Sequence, residues 1–362
     1  MTAPPSKQTE VEPEAGGFGS ARLPLAVTMG DPAGIGPELI LEAWHVRGLR
    51  ELPSFCVYAN LDMLRDRASA FAGGDTLIEV SDPRDAISWF DRALPVVDIP
   101  LRTKSVPGQP DTSNASAVLT SIEACVEAVF KGQACAVVTN PIAKSVLYGA
   151  GFRHPGHTEY LAALSELHSP EFKGRPVMML ACDELMVVPA TIHIPLHQVA
   201  STLNAKLLEE TIEVTCRELQ ERFGIEKPRI SVCGLNPHAG EDGALGREEI
   251  DVIAPALQRL RDRGLDVAGP LPADTMFHAE ARSRYDVAVA MYHDQALIPI
   301  KTLAFDKGVN VTLGLPFVRT SPDHGTAFDI AGHGKASPES FIQALLMAER
   351  MAIRPIAKGP VT

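Results

Sequence analysis

Short apolar runs rich in Val, Ile and Ala alternate along the chain with longer segments in which apolar residues recur at helical spacing. The short runs favour buried strands, and the longer segments favour helices. The predicted strands span residues 23–29, 54–59, 134–140, 175–182, 185–193, 229–235 and 286–292. Strands that alternate with helices indicate βαβ units, and therefore an α/β fold with a mostly parallel sheet covered on both faces.

Three segments carry the clearest helical pattern. They are Ser116–Phe130, Asn204–Phe223 and Arg247–Arg263. Asn204 is a suitable N-cap, and Gly224 and Gly264 stand just past the ends of their helices, where a left-handed residue commonly terminates the turn. The chain shows no internal repeat that would predict a repeat architecture.

Composition and charge limit the partners and the compartment. The 362 residues, 45% of them apolar, suffice for one large domain or two ordinary ones. A formal charge of -12 argues against nucleic acid or a membrane surface as a partner, since both are polyanionic. No apolar run is long enough to span a bilayer. Residues 1–22 are rich in Pro, Gly, Glu and Ser and lack the apolar core of a signal peptide, so we predict a disordered extension of a cytoplasmic protein.

The six cysteines are spaced too irregularly for a disulfide framework. They stand at positions 56, 125, 135, 182, 216 and 233, without any CxxC pair. Most lie in apolar runs, so we expect buried, reduced thiols in a cytosolic protein.

The segment Val309–Gly334 reads VNVTLGLPFVRTSPDHGTAFDIAGHG and holds the densest candidate chemistry. Arg319 offers a planar fork of donors suited to phosphate or carboxylate, and the glycines allow close backbone approach to a ligand. We expect a binding loop held on a scaffold, without a strand or helix of useful length. The alternative is a surface loop between two core elements.

Three histidines follow or end predicted strands, where α/β folds place ligands. His193, His238 and His293 could together hold one divalent ion and leave positions open for substrate. The alternative is that they are ordinary loop or core histidines. We expect His197 not to bind the metal, because Pro195 allows a helix only to begin there and the HIPLH pair need not share one helical face.

Two further motifs adjoin predicted elements. MGDPAGIGPE, residues 29–38, follows the first strand and opens a helix, but it is not the GxGxxG nucleotide fingerprint. We expect this turn to line a cleft and assign Asp31 no chemical role. His157 and Thr158 lie in GHTE, which is typical of a helix start, and a helix N-terminus also binds anions.

Seven strings in the same order resemble one enzyme family. They are MGDPAGIGPE (29–38), TNPIAK (139–144), PGHTEYLA (155–162), LNPHAGE (235–241), GPLPADTMF (269–277), YHDQALIPIK (292–301) and VTLGLPFVRTSPDHGTAFDIAG (311–332). Together they resemble the 4-hydroxythreonine-4-phosphate dehydrogenase family of pyridoxal phosphate biosynthesis. That family is one branch of the isocitrate and isopropylmalate dehydrogenase superfamily. The resemblance covers roughly residue 25 to the C-terminus.

The resemblance implies an architecture. It predicts two α/β/α domains, with a mostly parallel sheet and the active site in the interdomain cleft. Residues 23–145 plus 297–362 would form the cofactor-binding domain, and residues 146–296 the metal, substrate and dimerisation domain. The family also implies a homodimer with a shared active site, in which one ligand histidine comes from the partner.

The resemblance also implies the reaction and its residues. NAD, or NADP in its place, would be held by His324, Gly325, Thr326, Asp329 and Gly332. His193, His238 and His293 would bind one divalent metal ion, with zinc, cobalt or magnesium as candidates. Substrate would contact His157, Thr158, Lys301, Asn310 and Arg319. The general base stays open among Lys301, Asp274 and Asp294.

The expected reaction is oxidation of 4-phosphooxy-L-threonine to 2-amino-3-oxo-4-phosphooxybutanoate, which loses carbon dioxide to give 3-amino-2-oxopropyl phosphate. The alternative is a paralogous dehydrogenase of 4-phospho-D-threonate or 4-phospho-D-erythronate. Two other classes are weaker alternatives: an acyltransferase of the phosphotransacetylase type, which shares the general fold, and a non-catalytic metal-binding protein. The three strand-end histidines and the HGTAFDIAG loop argue against the acyltransferase.

Overall fold

The computed structural model describes residues 23–69, 76–154 and 156–353. The predicted disordered extension, residues 1–22, lies outside the described residues. Within the described part, the chain folds around one continuous sheet of twelve strands. The strands are β1 (Leu25–Thr28), β2 (Phe55–Ala59), β3 (Leu77–Glu79), β4 (Leu94–Asp98), β5 (Ala136–Val138), β6 (Val177–Ala181), β7 (Met186–Pro189), β8 (Arg229–Cys233), β9 (Asp266–Leu271), β10 (Val287–Ala290), β11 (Val309–Leu313) and β12 (Val318–Pro322).

Helices follow most of the strands. They are α1 (Gly36–His45), α2 (Leu61–Ala68), α3 (Ala86–Trp89), α4 (Ala115–Phe130), α5 (Lys144–Gly149), α6 (His157–His168), α7 (Val199–Thr202), α8 (Ala205–Glu221), α9 (Ala254–Asp262), α10 (Ala279–Arg282), α11 (His293–Leu303) and α12 (Glu339–Ala352). None of the described helices is long and apolar enough to cross a membrane.

The sheet runs in the order β3-β4-β2-β1-β5-β12-β11-β6-β7-β10-β8-β9. Eight of its eleven neighbouring pairs are parallel, which confirms the predicted α/β fold with a mostly parallel sheet. The three antiparallel pairs lie together in the middle and involve β12, β11, β6 and β7. Strands β1, β2 and β5 are buried at every residue, because α4 and α12 pack against this part of the sheet.

All seven predicted strands are present, each within its predicted range. The first two predicted helices are confirmed: Asn204 accepts a hydrogen bond from the Leu207 amide as the N-cap of α8, and Gly224 is left-handed with φ of 69°. The third starts as a π-helical turn, Glu249–Ile253, before it continues as α9. All six cysteines are free thiols, four of them buried, as predicted.

The expectation that residues 309–334 form one loop is wrong. Residues 309–313 and 318–322 are β11 and β12, two central strands, and the irregular parts are the turn at 314–317 and the chain after Pro322. Their polar residues form hydrogen bonds within the core. Arg319 donates to Thr139 and Thr312, and Thr320 donates to the Ala344 carbonyl. A polar pattern typical of loops therefore comes from buried strands whose polar groups pair with one another.

The division into two domains stays a prediction. Strands from the first part of the chain, together with β12, form one half of the sheet order, and β6 to β10 form the other half. β11 joins the two halves by antiparallel pairing with both β12 and β6. This join lies beside the candidate site.

Candidate active site

A polar cleft of about 330 Å³ opens where several strands end. Thr139 and Asn140 follow β5, and Ser321 to Asp323 close β12. His193 comes after β7, and His293 begins α11 after β10. Residues that follow strands in an α/β sheet are free to turn toward a ligand, because the strands themselves are fixed by the core.

The cleft gathers part of the predicted site. Eight of the predicted residues line it: His157, Thr158, His193, His293, Asn310, Arg319, His324 and Gly325. Seven do not: His238, Asp274, Asp294, Lys301, Thr326, Asp329 and Gly332.

Arg319 lies at the bottom of the cleft, only 3% exposed. Its guanidinium donates to the hydroxyl of Thr139 at 2.6 Å, the hydroxyl of Thr312 at 2.9 Å and the amide oxygen of Asn310 at 3.2 Å. All three acceptors are neutral, and burial lowers the pKa of Arg319 to about 10. A buried cation without a counter-charge is costly, so this arrangement favours an anionic ligand.

His157 and Thr158 open helix α6 at the wall of the cleft, as the GHTE motif predicts. Gly156 is the N-cap and gives no side-chain cap, which leaves the first amides of the helix available. The Nε2 atom of His157 is buried and has no hydrogen-bond partner among the described residues. Burial and the nearby cations Arg319 and Lys144 hold the pKa of His157 well below its usual range, so the ring is neutral.

The structure brings two of the three predicted metal ligands together. The rings of His193 and His293 lie 5.7 Å apart between centroids. His293 contacts Asp294 through Nδ1 at 2.7 Å, an arrangement that leaves its Nε2 free. His238 is exposed and does not line the cleft that holds His193 and His293. The described residues contain no group of three metal-ligating side chains.

His238 begins a strained turn. Residues 238 to 242 all have positive φ, between 44° and 80°, and only Gly240 among them is a glycine. Asn236 anchors the turn, because its amide donates to the Glu249 carboxylate at 2.7 Å and its side chain donates to Glu248 at 2.6 Å. Left-handed non-glycine residues cost about 1–2 kcal/mol each, and such strain concentrates at functional sites.

The three candidate bases occupy different places. Lys301 pairs with Asp323, which lines the cleft, and its ammonium also donates to the Asp323 carbonyl at 2.8 Å. Asp294 is exposed and bound to His293. Asp274 and Asp294 both line a separate cavity beside α11.

The predicted cofactor loop packs on the glycine-rich turn at residues 29–38. The Ile35 amide donates to the Thr326 carbonyl at 3.1 Å, and the Gly332 amide donates to Glu38. Arg67 also pairs with Glu38, at 2.5 Å. The turn is wholly buried and does not line the cleft, so the expectation that it does so is wrong. The turn packs against the loop closely because its glycines lack side chains. A Cβ on Gly34 would lie 3.0 Å from the Thr326 carbonyl oxygen.

Sequence reasoning gave no role to several cleft residues. Thr139, Asn140 and Lys144 all belong to the TNPIAK string, and Asp323 precedes His324. The signal for the first two was present, since polar residues that directly follow a buried strand are candidates for ligand contact. Lys144 carries no such signal, because a lysine at a helix start is usually a surface residue.

The fold and the cleft define a class. A twelve-stranded, mostly parallel sheet with an antiparallel join and a polar cleft beside it is an isopropylmalate dehydrogenase-like α/β fold.

The particular family follows from comparison with known proteins. A family model described as pyridoxal phosphate biosynthetic protein PdxA matches residues 51–348. The chain is 55% identical, over 92% of its length and 95% of the relative, to a 4-hydroxythreonine-4-phosphate dehydrogenase of Methylorubrum populi. The chain therefore belongs to the PdxA family.

Solved structures agree with this assignment. The crystal structure of 4-hydroxythreonine-4-phosphate dehydrogenase from Klebsiella pneumoniae matches with a TM-score of 0.81 at 39% identity, over 91% of this chain and 98% of the other. A terephthalate 1,2-cis-dihydrodiol dehydrogenase from Burkholderia xenovorans matches with a TM-score of 0.61 at 28% identity, over 91% and 98%.

Proposed function

We propose that this protein oxidises 4-phosphooxy-L-threonine in a reaction that depends on NAD and a divalent metal ion. The observation that carries the proposal is the buried guanidinium of Arg319, which faces the cleft with neutral partners only. Relatives named 4-hydroxythreonine-4-phosphate dehydrogenase, at 55% identity, support the substrate. The expected product is 2-amino-3-oxo-4-phosphooxybutanoate, which decarboxylates to 3-amino-2-oxopropyl phosphate.

In this proposal the phosphate lies at the bottom of the cleft. Arg319 can offer it charge-assisted hydrogen bonds, and the free amides at the start of α6 favour an anion at the same wall. His157 and Thr158 add neutral hydrogen-bonding groups there. Asn310 accepts from Arg319, so it orients the guanidinium as well as lining the cleft.

His193 and His293 fit a divalent metal ion. Their rings are neighbours at the cleft. The pKa of His193 is lowered by partial desolvation and by the nearby Lys144 and His293. This favours the neutral imidazole, which is the form that binds a metal. When bound, the ion would act as a Lewis acid toward the oxygen at the reacting carbon. Imidazole ligands suit zinc and cobalt, and magnesium is the third candidate.

The third proposed ligand, His238, would come from a partner subunit. Within one chain His238 lies outside the cleft, while His193 and His293 lie inside it. Leu196, Ile298 and Phe305 are apolar and 65–78% exposed. Leu196 and Ile298 line two cavities that share Asp294, the residue next to His293. Apolar side chains exposed beside a site favour an interface, and we infer a homodimer with a shared active site.

The loop after β12 fits a nicotinamide cofactor. Gly325 lines the cleft with open space where a Cβ would stand, so backbone is accessible there. Glu38 holds the far end of the loop through the Gly332 amide. We propose that His324, Gly325, Thr326, Asp329 and Gly332 hold NAD, with NADP as the alternative cofactor.

The proposed oxidation requires a base that accepts the hydroxyl proton. A bound NAD would supply the acceptor for the hydride from C3, and the protein would have to supply a base for the hydroxyl proton. Loss of carbon dioxide then breaks the bond to the carboxylate, and its electron pair moves toward the ketone. Among the candidate bases, Lys301 has the most direct contact with the cleft, because it forms an ion pair with Asp323, which lines the cleft. Asp294 instead orients His293, and Asp274 faces the adjoining cavity.

We also propose that the cofactor loop and the metal ligands belong to separate domains, at residues 23–145 plus 297–362 and 146–296, and that the protein is cytoplasmic. The cleft would then lie between the domains.

The test follows reduced nicotinamide by its near-ultraviolet absorbance. The substrates are 4-phosphooxy-L-threonine, 4-phospho-D-threonate, 4-phospho-D-erythronate and their unphosphorylated forms, each with and without chelator. We expect turnover of 4-phosphooxy-L-threonine that chelator abolishes and added metal restores. Preference for threonate or erythronate would select the paralogous activity, and no turnover of any substrate would refute a dehydrogenase.

A further inference from the structure

Lys144 stands in the wall of the cleft, and its ammonium forms no ion pair with any carboxylate in the described part of the chain. It is the first residue of α5, four residues after Asn140 at the end of β5. Its Cε and Nζ atoms each lie 3.4 Å from the point that a Gly156 Cβ would occupy. The ammonium is therefore packed against the start of α6, beside His157.

No carboxylate among the described residues pairs with this ammonium, and no hydrogen bond from it is formed within that part of the chain. Lys301 differs, because Asp323 already neutralises it. Glu159 lines the same cleft, and its Oε2 atom also lies 3.4 Å from the Gly156 Cβ position, but it forms no ion pair with Lys144. Lys144 and Arg319 are thus two cations at one cleft, and neither has a carboxylate partner in the described structure.

The positive charges of Lys144 and Arg319 act on the same cleft. Burial first, and then Arg319 and Lys144, lower the pKa of His157, which lines the same cleft. Lys144 is exposed at the cleft wall and Arg319 is buried at its bottom, and two positive groups that line one cleft repel one another. An anion between them would remove the penalty.

The magnitude of the ligand charge favours two cations over one. A phosphate monoester carries about −1.5 to −2 charges near pH 7. Arg319 alone supplies one positive charge, and the paired Lys301 supplies no net charge together with Asp323. Arg319 and Lys144 together supply two positive charges, of which Glu159 in the same lining offsets one, so without Lys144 the Arg319 charge would be cancelled by Glu159.

We propose that Lys144 is a second phosphate-binding residue, opposite Arg319, and that it uses the ammonium as a point charge. In this arrangement the phosphate contacts Arg319 from below, Lys144 from the wall and the free amides of α6. The inference rests on the proposed function insofar as the phosphate belongs to the substrate. Binding of phosphate itself can be measured without turnover.

Calorimetric titration of the purified full-length protein with inorganic phosphate tests the inference. The variants are Lys144→Met, which removes the charge and keeps the apolar stem, and Lys144→Arg, which restores the charge. Lys206→Met is the matched control, because its side chain is 84% exposed on α8. We expect phosphate affinity to fall by about 10- to 100-fold in Lys144→Met, in line with a lost charge-assisted contact. Lys144→Arg should retain most of the affinity, and Lys206→Met all of it.

Kinetics separate a binding role from a structural one. For the phosphorylated substrate, Lys144→Met should raise KM by the same factor while kcat changes little, and the melting temperature of the unliganded protein should not fall below that of wild type. For the unphosphorylated hydroxy acid, Lys144→Met should have no effect; an equal loss there would place Lys144 on the substrate carboxylate instead and overturn the proposal. Wild-type phosphate affinity in Lys144→Met would also overturn it. If the wild type turns over no substrate yet binds phosphate through Lys144, only the proposed dehydrogenase activity fails.

Discussion

Burial beside two cations keeps the His157 ring neutral. Its pKa is lowered first by burial and then by Arg319 and Lys144, while the same side chain in an unfolded chain titrates near pH 6.5. The unfolded state therefore binds a proton that the folded state rejects. This contribution to stability is fully present above pH 6.5 and is lost as the pH falls below it.

This predicts a specific change in acid stability. His157→Gln removes the titrating group, so the decline in melting temperature between pH 7 and pH 5 should be shallower than in wild type. The limit for one such group is about 1.4 kcal/mol of unfolding free energy per pH unit. Thermal unfolding followed across this range checks it, with exposed His278→Gln as the control. Identical slopes in wild type and His157→Gln would mean that His157 binds protons equally in the folded and unfolded states.

At the scale of elements, the left-handed turn after β8 determines where His238 points. Gly240 lies inside this turn with φ of 80°, and a Cβ added there would lie 2.6 Å from the Glu249 carboxylate. Gly264 also has positive φ, at 89°, but has open space around the same position. Comparing substitutions at Gly240 and Gly264 therefore distinguishes the cost of backbone strain, which both would share, from the cost of a steric clash, which arises only at Gly240.

Gly264→Ala should cost only the left-handed strain, about 1–2 kcal/mol. Gly240→Ala should cost this amount plus about 1–3 kcal/mol for the clash, and it should weaken metal binding by displacing His238. Denaturant unfolding and metal titration of both variants provide the measurement. Equal destabilisation by the two substitutions would show that the Glu249 side chain moves away from the added Cβ without loss of stability.

The start of α12 offers a second prediction at this scale. Arg50 donates to Glu339, the first residue of α12, through two hydrogen bonds of 2.8 Å and 2.9 Å. These bonds lower the pKa of Glu339 to about 2. Because the folded pKa lies below the unfolded value of 4.5, the stabilisation is present above pH 4.5 and is lost as the pH falls toward 2.

Glu339→Gln should therefore lower the unfolding free energy by about 1–2 kcal/mol at pH 7, after allowance for solvent screening of a partly exposed pair. The difference from wild type should shrink as the pH is lowered. Glu280→Gln breaks an exposed pair with Arg284 and should change stability by less than about 0.5 kcal/mol. A Glu339→Gln cost that does not depend on pH would assign the loss to packing.

The elements that the sequence predicted well are those with uninterrupted apolar strands or capped helices, such as β5 and α8. β11 and β12 escaped prediction because Asn310, Thr312 and Arg319 satisfy one another inside the sheet. One sequence cannot tell a polar residue paired in the core from one in water. The same limit applies to Lys144, whose lack of a partner depends on where α5 and α6 meet. The strain at His238 was equally hidden, since it depends on Glu249 and Asn236 in space.

At the scale of the whole molecule, the placement of the histidines predicts which chains can complement one another. His193 and His293 are neighbours in one chain, and His238 lies outside that chain's cleft. In a dimer with shared sites, His193→Ala mixed with His238→Ala would leave one intact site in each heterodimer. Random mixing should then restore about a quarter of wild-type activity.

The mixture of His193→Ala and His293→Ala is the matched control. Both substitutions would damage the same chain's part of the site, so every site in the heterodimer stays broken and no activity should return. Subunit exchange is verified by mass spectrometry of tagged chains. Recovery in the control mixture, or none in the first mixture despite heterodimers, would contradict a site completed by His238 of the partner subunit.

The selectivity of an Arg319 variant tests most directly whether this cleft oxidises a phosphorylated substrate. The measurement is the ratio of kcat/KM for 4-phosphooxy-L-threonine to that for the unphosphorylated hydroxy acid, in wild type and in Arg319→Met, with Arg319→Lys as the charge-retaining comparison. Loss of charge-assisted bonds should lower kcat/KM on the phosphorylated substrate by roughly 10- to 150-fold. Arg319→Lys should recover only part of it, because an ammonium replaces the fork. A far smaller loss on the unphosphorylated substrate is the predicted result, and equal losses on both substrates would contradict it.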